Sequence, residues 1–86
     1  MIAMKVKIEE TIYEGSGTEI IDRLRRQGFH LTELPDAESY IRFLQGNIVR
    51  TTGMDCPLPN RDTETRARTI LAHLAKIGGL ELLEEL

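Results

Sequence analysis

The chain has 86 residues, enough for one hydrophobic core and too few for two independently folding domains. Its hydrophobic share of 41% beside 29% charged residues is ordinary for a globular domain and excludes disorder as the default state. Fourteen acids against eleven bases give a net charge of −3, which excludes the chain as a whole from polyanion binders, and a single cysteine excludes an internal disulfide.

The apolar start, Met1 to Met4, is interrupted at once by Lys5 and Lys7. It is too short for a signal-peptide core of about 7–15 residues or a membrane span of about 18. Together with the lone Cys56, this predicts a cytoplasmic protein with no membrane partner.

Residues 2 to 13 carry the clearest two-residue period, with Ile2, Met4, Val6, Ile8 and Ile12 on one face and Ala3, Lys5, Lys7, Glu9, Thr11 and Tyr13 on the other. This predicts a half-buried strand, bulged or bent near Glu9 and Glu10 where the alternation falters. Gly15-Ser16-Gly17 ends it. Ser16 followed by Glu19 has the form of a capping box, so a helix is expected over about 17–27 with Ile20, Ile21 and Leu24 as its apolar stripe and Gly28 as its C-terminal cap. Phe29 to Leu34 form a connector, with a short extended piece as one form, closed by Pro35. Asp36 is an N-cap for a second helix whose stripe is Ala37, Tyr40, Ile41, Leu44 and Ile48 and which ends near Arg50. Gly46 inside that helix costs about 1 kcal/mol relative to alanine and marks a kink or a close approach. Thr51 to Arg61 is a long loop. Asp62 or Thr63 caps a third helix with the stripe Ala67, Ile70, Leu71, Leu74 and Ile77, stopped by Gly78-Gly79. The tail from Leu80 to Leu86 is short helix or strand, between which periodicity does not decide.

The arginines invite a nucleic-acid reading, and their spacing opposes it. Glu19 and Arg23, Asp22 and Arg26, Glu38 and Arg42, Asp62 and Arg66, and Glu64 and Arg68 stand four apart with the acid first, the favoured order on a helix. These pairs predict a solvated, locally neutralised surface and disfavour nucleic acid as a partner. Arg50 also suits the C-terminus of its own helix.

No catalytic, metal or cofactor constellation is expected. Cys56, in Asp55-Cys56-Pro57, has no activating partner fixed by spacing, and Met54, Cys56 and Leu58 alternate as if all three pin the loop to the core. His73 lies at the edge of the third stripe and His30 in the connector, neither beside a second ligand at metal-site spacing. The glycines around Ser16 lack both the Walker lysine and the three-glycine dinucleotide pattern. Phe43 is the exception to plain packing. It sits about 120° from its helix's stripe, on the flank with Asn47 and Arg50 and next to Gly46, so either the following loop folds over it or these residues form an interaction surface.

One strand among three helices needs a pairing partner. The expected fold is α+β, with three helices packed on an N-terminal strand that pairs with the tail, with the connector, or with a second chain. Pairing across a two-fold axis resembles the ribbon-helix-helix repressors over residues 2 to about 50, which would turn Lys5, Lys7, Glu9 and Thr11 toward a DNA groove. Glu9, Glu10 and the negative net charge depart from that pattern. Tyr13-Glu14-Gly15 leading into Thr18-Glu19-Ile20-Ile21 and Leu24, with Ala72-His73-Leu74-Ala75 running to Gly79-Leu80-Glu81-Leu82, resembles small bacterial proteins of unassigned activity. That resemblance implies no function. The expectation is a non-catalytic protein-interaction or regulatory module, with a homodimer as one form and a dimeric DNA-binding regulator as the alternative.

Overall fold

A computed structural model describes residues 3–27 and 36–85. The proposed Gly28 cap, the connector with His30 and its extended piece, and the chain's outermost residues lie outside these.

The alternation at the N-terminus builds two strands and not one. Strands β1 (Met4–Ile8) and β2 (Thr11–Gly15) form an antiparallel hairpin closed by Ile8 opposite Thr11, with Glu9 and Glu10 as the two-residue turn. Glu9 takes φ 58°, the left-handed region, which accounts for the faltering alternation. The turn carries no glycine or asparagine, so the usual hairpin signal is missing from the sequence. Val6 pairs with Tyr13 on the inner face, and Ile12, expected inside, stands opposite Lys7 on the outer face and is 51% exposed.

Helix α1 (Gly17–Gln27) occupies the expected span. Helix α2 (Ala37–Thr52) starts from Asp36, whose carboxylate accepts the Ser39 N–H at 2.8 Å. It runs two residues past Arg50 and ends where the N–H of Gly53, at φ 70°, donates to the Val49 carbonyl. Helix α3 (Thr63–Lys76) is followed by Gly78 at φ 85° and by Gly79, whose N–H donates to the Leu74 carbonyl at 2.7 Å. The tail is strand β3 (Glu81–Glu85), antiparallel to β1, with a bulge that places Leu83 between the partners of Val6 and Lys5.

Sheet order is therefore β2-β1-β3. Both edges of β1 are paired within the chain, which assigns the partner strand to the tail and adds a second one from within the N-terminal segment. The three helices cover one face. Met4 and Val6 from β1, Ile20 and Ile21 from α1, Ile41 from α2 and Ile70 and Leu71 from α3 are almost wholly excluded from solvent. The stripes read from spacing thus point inward, except that Ile77, just beyond α3, is 40% exposed because the chain turns away there.

Candidate interaction surface

The turn from β2 into α1 shows what its glycines do. Ser16 and Glu19 form the expected capping box, the Glu19 N–H donating to Ser16 Oγ and the Ser16 N–H to Glu19 Oε1, each at 3.1 Å. A second carboxylate arrives from α3. Glu64 Oε2 accepts the Gly17 N–H at 2.8 Å, while Oε1 accepts the Thr18 N–H at 3.0 Å and the Thr18 hydroxyl at 2.8 Å. The Ile20 N–H donates to the Ser16 carbonyl, so the first amides of α1 are all used inside the chain and none is left to cradle a phosphate. Burial alone would raise the Glu64 pKa, but the bonds from Thr18, Gly17 and Ser16 outweigh it and hold the carboxyl below its ordinary value.

That contact redistributes the charges. Of the five four-residue pairs expected from sequence, Asp22 with Arg26 at 3.0 Å is the one formed among the described residues. Asp22 also binds Arg25 at 2.7 Å. Glu19 and Glu64 are committed to the α1 N-terminus, Asp62 accepts the Thr65 hydroxyl, Glu38 reaches Arg66 at 3.2 Å, and Arg68 reaches Glu85 of β3 at 2.8 Å. Two causes act together: Glu19, Glu64 and Asp62, near helix starts, find N–H or hydroxyl donors, and Arg66 and Arg68 find carboxylates on neighbouring elements. Arg42 is left with no hydrogen bond or ion pair among the described residues.

Cys56 is buried, and burial pushes its thiol pKa upward, opposite to what a thiolate nucleophile needs. Its carbonyl accepts Gln45 Nε2 at 2.7 Å, which pins the loop to α2. Leu58 packs against the core beside it. Met54 does not share that role and is 60% exposed, because it directly follows the turn at Gly53. His73 is half-buried on α3. Among the described residues no cluster of three or more His, Cys, Asp or Glu side chains is placed to hold a metal ion, and no helix is long and apolar enough to cross a membrane.

Phe43, Asn47 and Arg50 share one flank of α2. Phe43 is half-buried with its ring 5.8 Å from that of Tyr40, and Arg50 donates to the Asn47 carboxamide oxygen. Asn47 also borders a small apolar notch formed with Leu44, Leu74 and Ile77. The loop is tied through Gln45, on the side of α2 away from Phe43, and leaves an open groove of about 500 Å³ along Arg42, Gly46, Val49, Asp55 and Pro57. Sequence reasoning missed this second flank, whose signal was Gly46. Comparison with protein-family models, curated proteins and solved structures returns no match.

Proposed function

We propose that this chain is a non-catalytic protein-interaction or regulatory module of the cytoplasm that engages a partner through the outward face of α2, from Arg42 to Arg50. The observation that carries this reading is Gly46. A Cβ built there meets nothing within 4 Å among the described residues, so no contact with them requires glycine in the middle of this helix. Its cost of about 1 kcal/mol relative to alanine is explained if another molecule comes close to the helix backbone. Val49, 39% exposed and lining the same groove, supplies apolar surface beside it. The buried, protonated thiol of Cys56 supports a non-catalytic role. The ribbon-helix-helix alternative gains no support, because β1 has no free edge for a two-fold ribbon.

Gly46→Ala tests the reading. The variant should be more stable by about 1 kcal/mol in chemical denaturation. At the same time, in-cell photocross-linking of a partner from position 49 should weaken several-fold. A stabilised variant that cross-links like wild type overturns the assignment, as does wild-type protein that captures no partner.

A further inference from the structure

The partner's chemistry follows from how α2 distributes charge around Gly46. At 100° per residue, Arg42 and Arg50 stand about 40° to either side of Gly46, and Phe43 and Val49 about 60° to either side. The face is thus a bare stretch of helix backbone framed by two arginines along the axis and by two apolar side chains across it. Arg42, Gly46, Val49 and Arg50 are all exposed, and Phe43 is half-buried.

Carboxylates pair with Arg25, Arg26, Arg66 and Arg68 at 2.7 to 3.2 Å. Neither Arg42 nor Arg50 makes an ion pair within 4 Å among the described residues, a property they share with Arg23 and Arg61. Glu38, one turn before Arg42, is turned to Arg66 on α3. Asp36 is bonded to Ser39 and feels Arg42 only at longer range, and neither it nor Asp55 across the groove makes an ion pair within 4 Å of Arg42. Arg50 is bonded to the neutral amide of Asn47. A chain of net charge −3 therefore carries a locally positive face centred on Gly46.

A second copy of the chain does not fit this face. An antiparallel two-fold contact centred on Gly46 sets Arg42 of one copy against Arg50 of the other, and a parallel one sets each arginine against itself. Both juxtapose like charges. A helix of opposite sign does fit. Eight positions apart, the two arginine Cα atoms are separated by about 12 Å along the axis. Carboxylates seven or eight residues apart on a partner helix match that span, and a small residue midway lets the two axes close to the short end of the usual 8–10 Å packing distance.

Resting on the interaction-module reading above, we infer that the partner is an acidic amphipathic helix of another protein. It crosses α2 at Gly46, presents carboxylates to Arg42 and Arg50, and lays apolar side chains on Phe43 and Val49.

The experiment is position-specific photocross-linking from Val49 in the full chain, with the captured peptide sequenced by mass spectrometry and then synthesised. The peptide should carry carboxylates seven or eight residues apart around Gly, Ala or Ser, and should bind the chain as a helix with affinity that falls as salt rises. The double variant Arg42→Glu with Arg50→Glu should lose at least about tenfold in affinity for that peptide. Arg61→Glu, outside the face, should bind as wild type does, and circular dichroism checks that both variants stay folded. A basic or non-helical captured peptide, a peptide from a second copy of this chain, or binding indifferent to the double reversal overturns the acidic helix while leaving an interaction module standing. Absence of any cross-link removes both.

Discussion

Two glycines in this chain have opposite reasons, and substitution separates them. A Cβ on Gly17 lies 2.6 Å from Arg68 Cγ and 3.1 Å from both the Arg68 backbone nitrogen and Glu64 Oε2, so α1 can meet α3 this closely only without a side chain there. Gly17→Ala should destabilise the fold by about 1–3 kcal/mol in urea unfolding, the usual cost of overpacking, whereas Gly46→Ala should stabilise it. Equal effects of one sign would contradict the packing described. The same junction rests on the Glu64 carboxylate, which accepts three bonds from Gly17 and Thr18. Glu64→Gln weakens three bonds to a charged acceptor and should cost about 1–3 kcal/mol at neutral pH. Because the folded pKa of Glu64 lies below its unfolded value, its contribution is complete above the unfolded pKa and is lost as pH falls through the folded one. Wild-type stability should therefore drop more steeply than that of the variant on acidification from neutral pH. Parallel pH profiles for the two proteins would show that Glu64 does not hold α1 in solution.

At the level of elements, the helices were legible because their signals are local. Ser16 with Glu19, Asp36 before Ala37, and the apolar steps of each stripe are all within a few residues of the backbone groups they satisfy or the face they bury. The hairpin was not legible, since it turns on two glutamates in place of the glycine or asparagine that marks such turns. Glu9 bears a left-handed conformation that an L-residue with a Cβ adopts at a cost of about 1 kcal/mol or more. Glu9→Gly should relieve most of this and raise stability by about 0.5–1 kcal/mol, some of the gain being offset by the greater freedom of the unfolded chain. Glu10→Gly, at a residue without positive φ, should instead be neutral or destabilising. Equal responses in thermal melts would mean that the turn is not the two-residue form described.

For the molecule as a whole, charge is arranged across elements, which is why four-residue spacing named most of the pairs wrongly and expected partners for Arg23 and Arg42 that do not form among the described residues. Spacing reports only what one helix offers itself. It did not show that Glu64 would serve α1, that Arg68 would reach β3, or that Arg42 would be left over. The sheet shows the same logic on its uncovered face. Lys5 on the central strand stands opposite Glu14 of β2 and Glu84 of β3, with its ammonium 3.6 and 3.9 Å from their carboxylates. These half-exposed pairs add little individually, yet they place unlike charges in one row across all three strands. Lys5→Glu would convert that row to three acids and should destabilise the fold by about 1 kcal/mol at low salt. Raising the ionic strength to 1 M shortens the screening length to about 3 Å, so most of the deficit should disappear there. Lys7→Glu introduces the same charge change on the same strand, but opposite Ile12 on one side and Glu81 on the other, and no ion pair of Lys7 is formed among the described residues. It should therefore cost less at low salt and recover less at high salt. If both variants lose the same stability and respond alike to salt, the penalty comes from net charge and not from the row of paired residues that crosses the sheet.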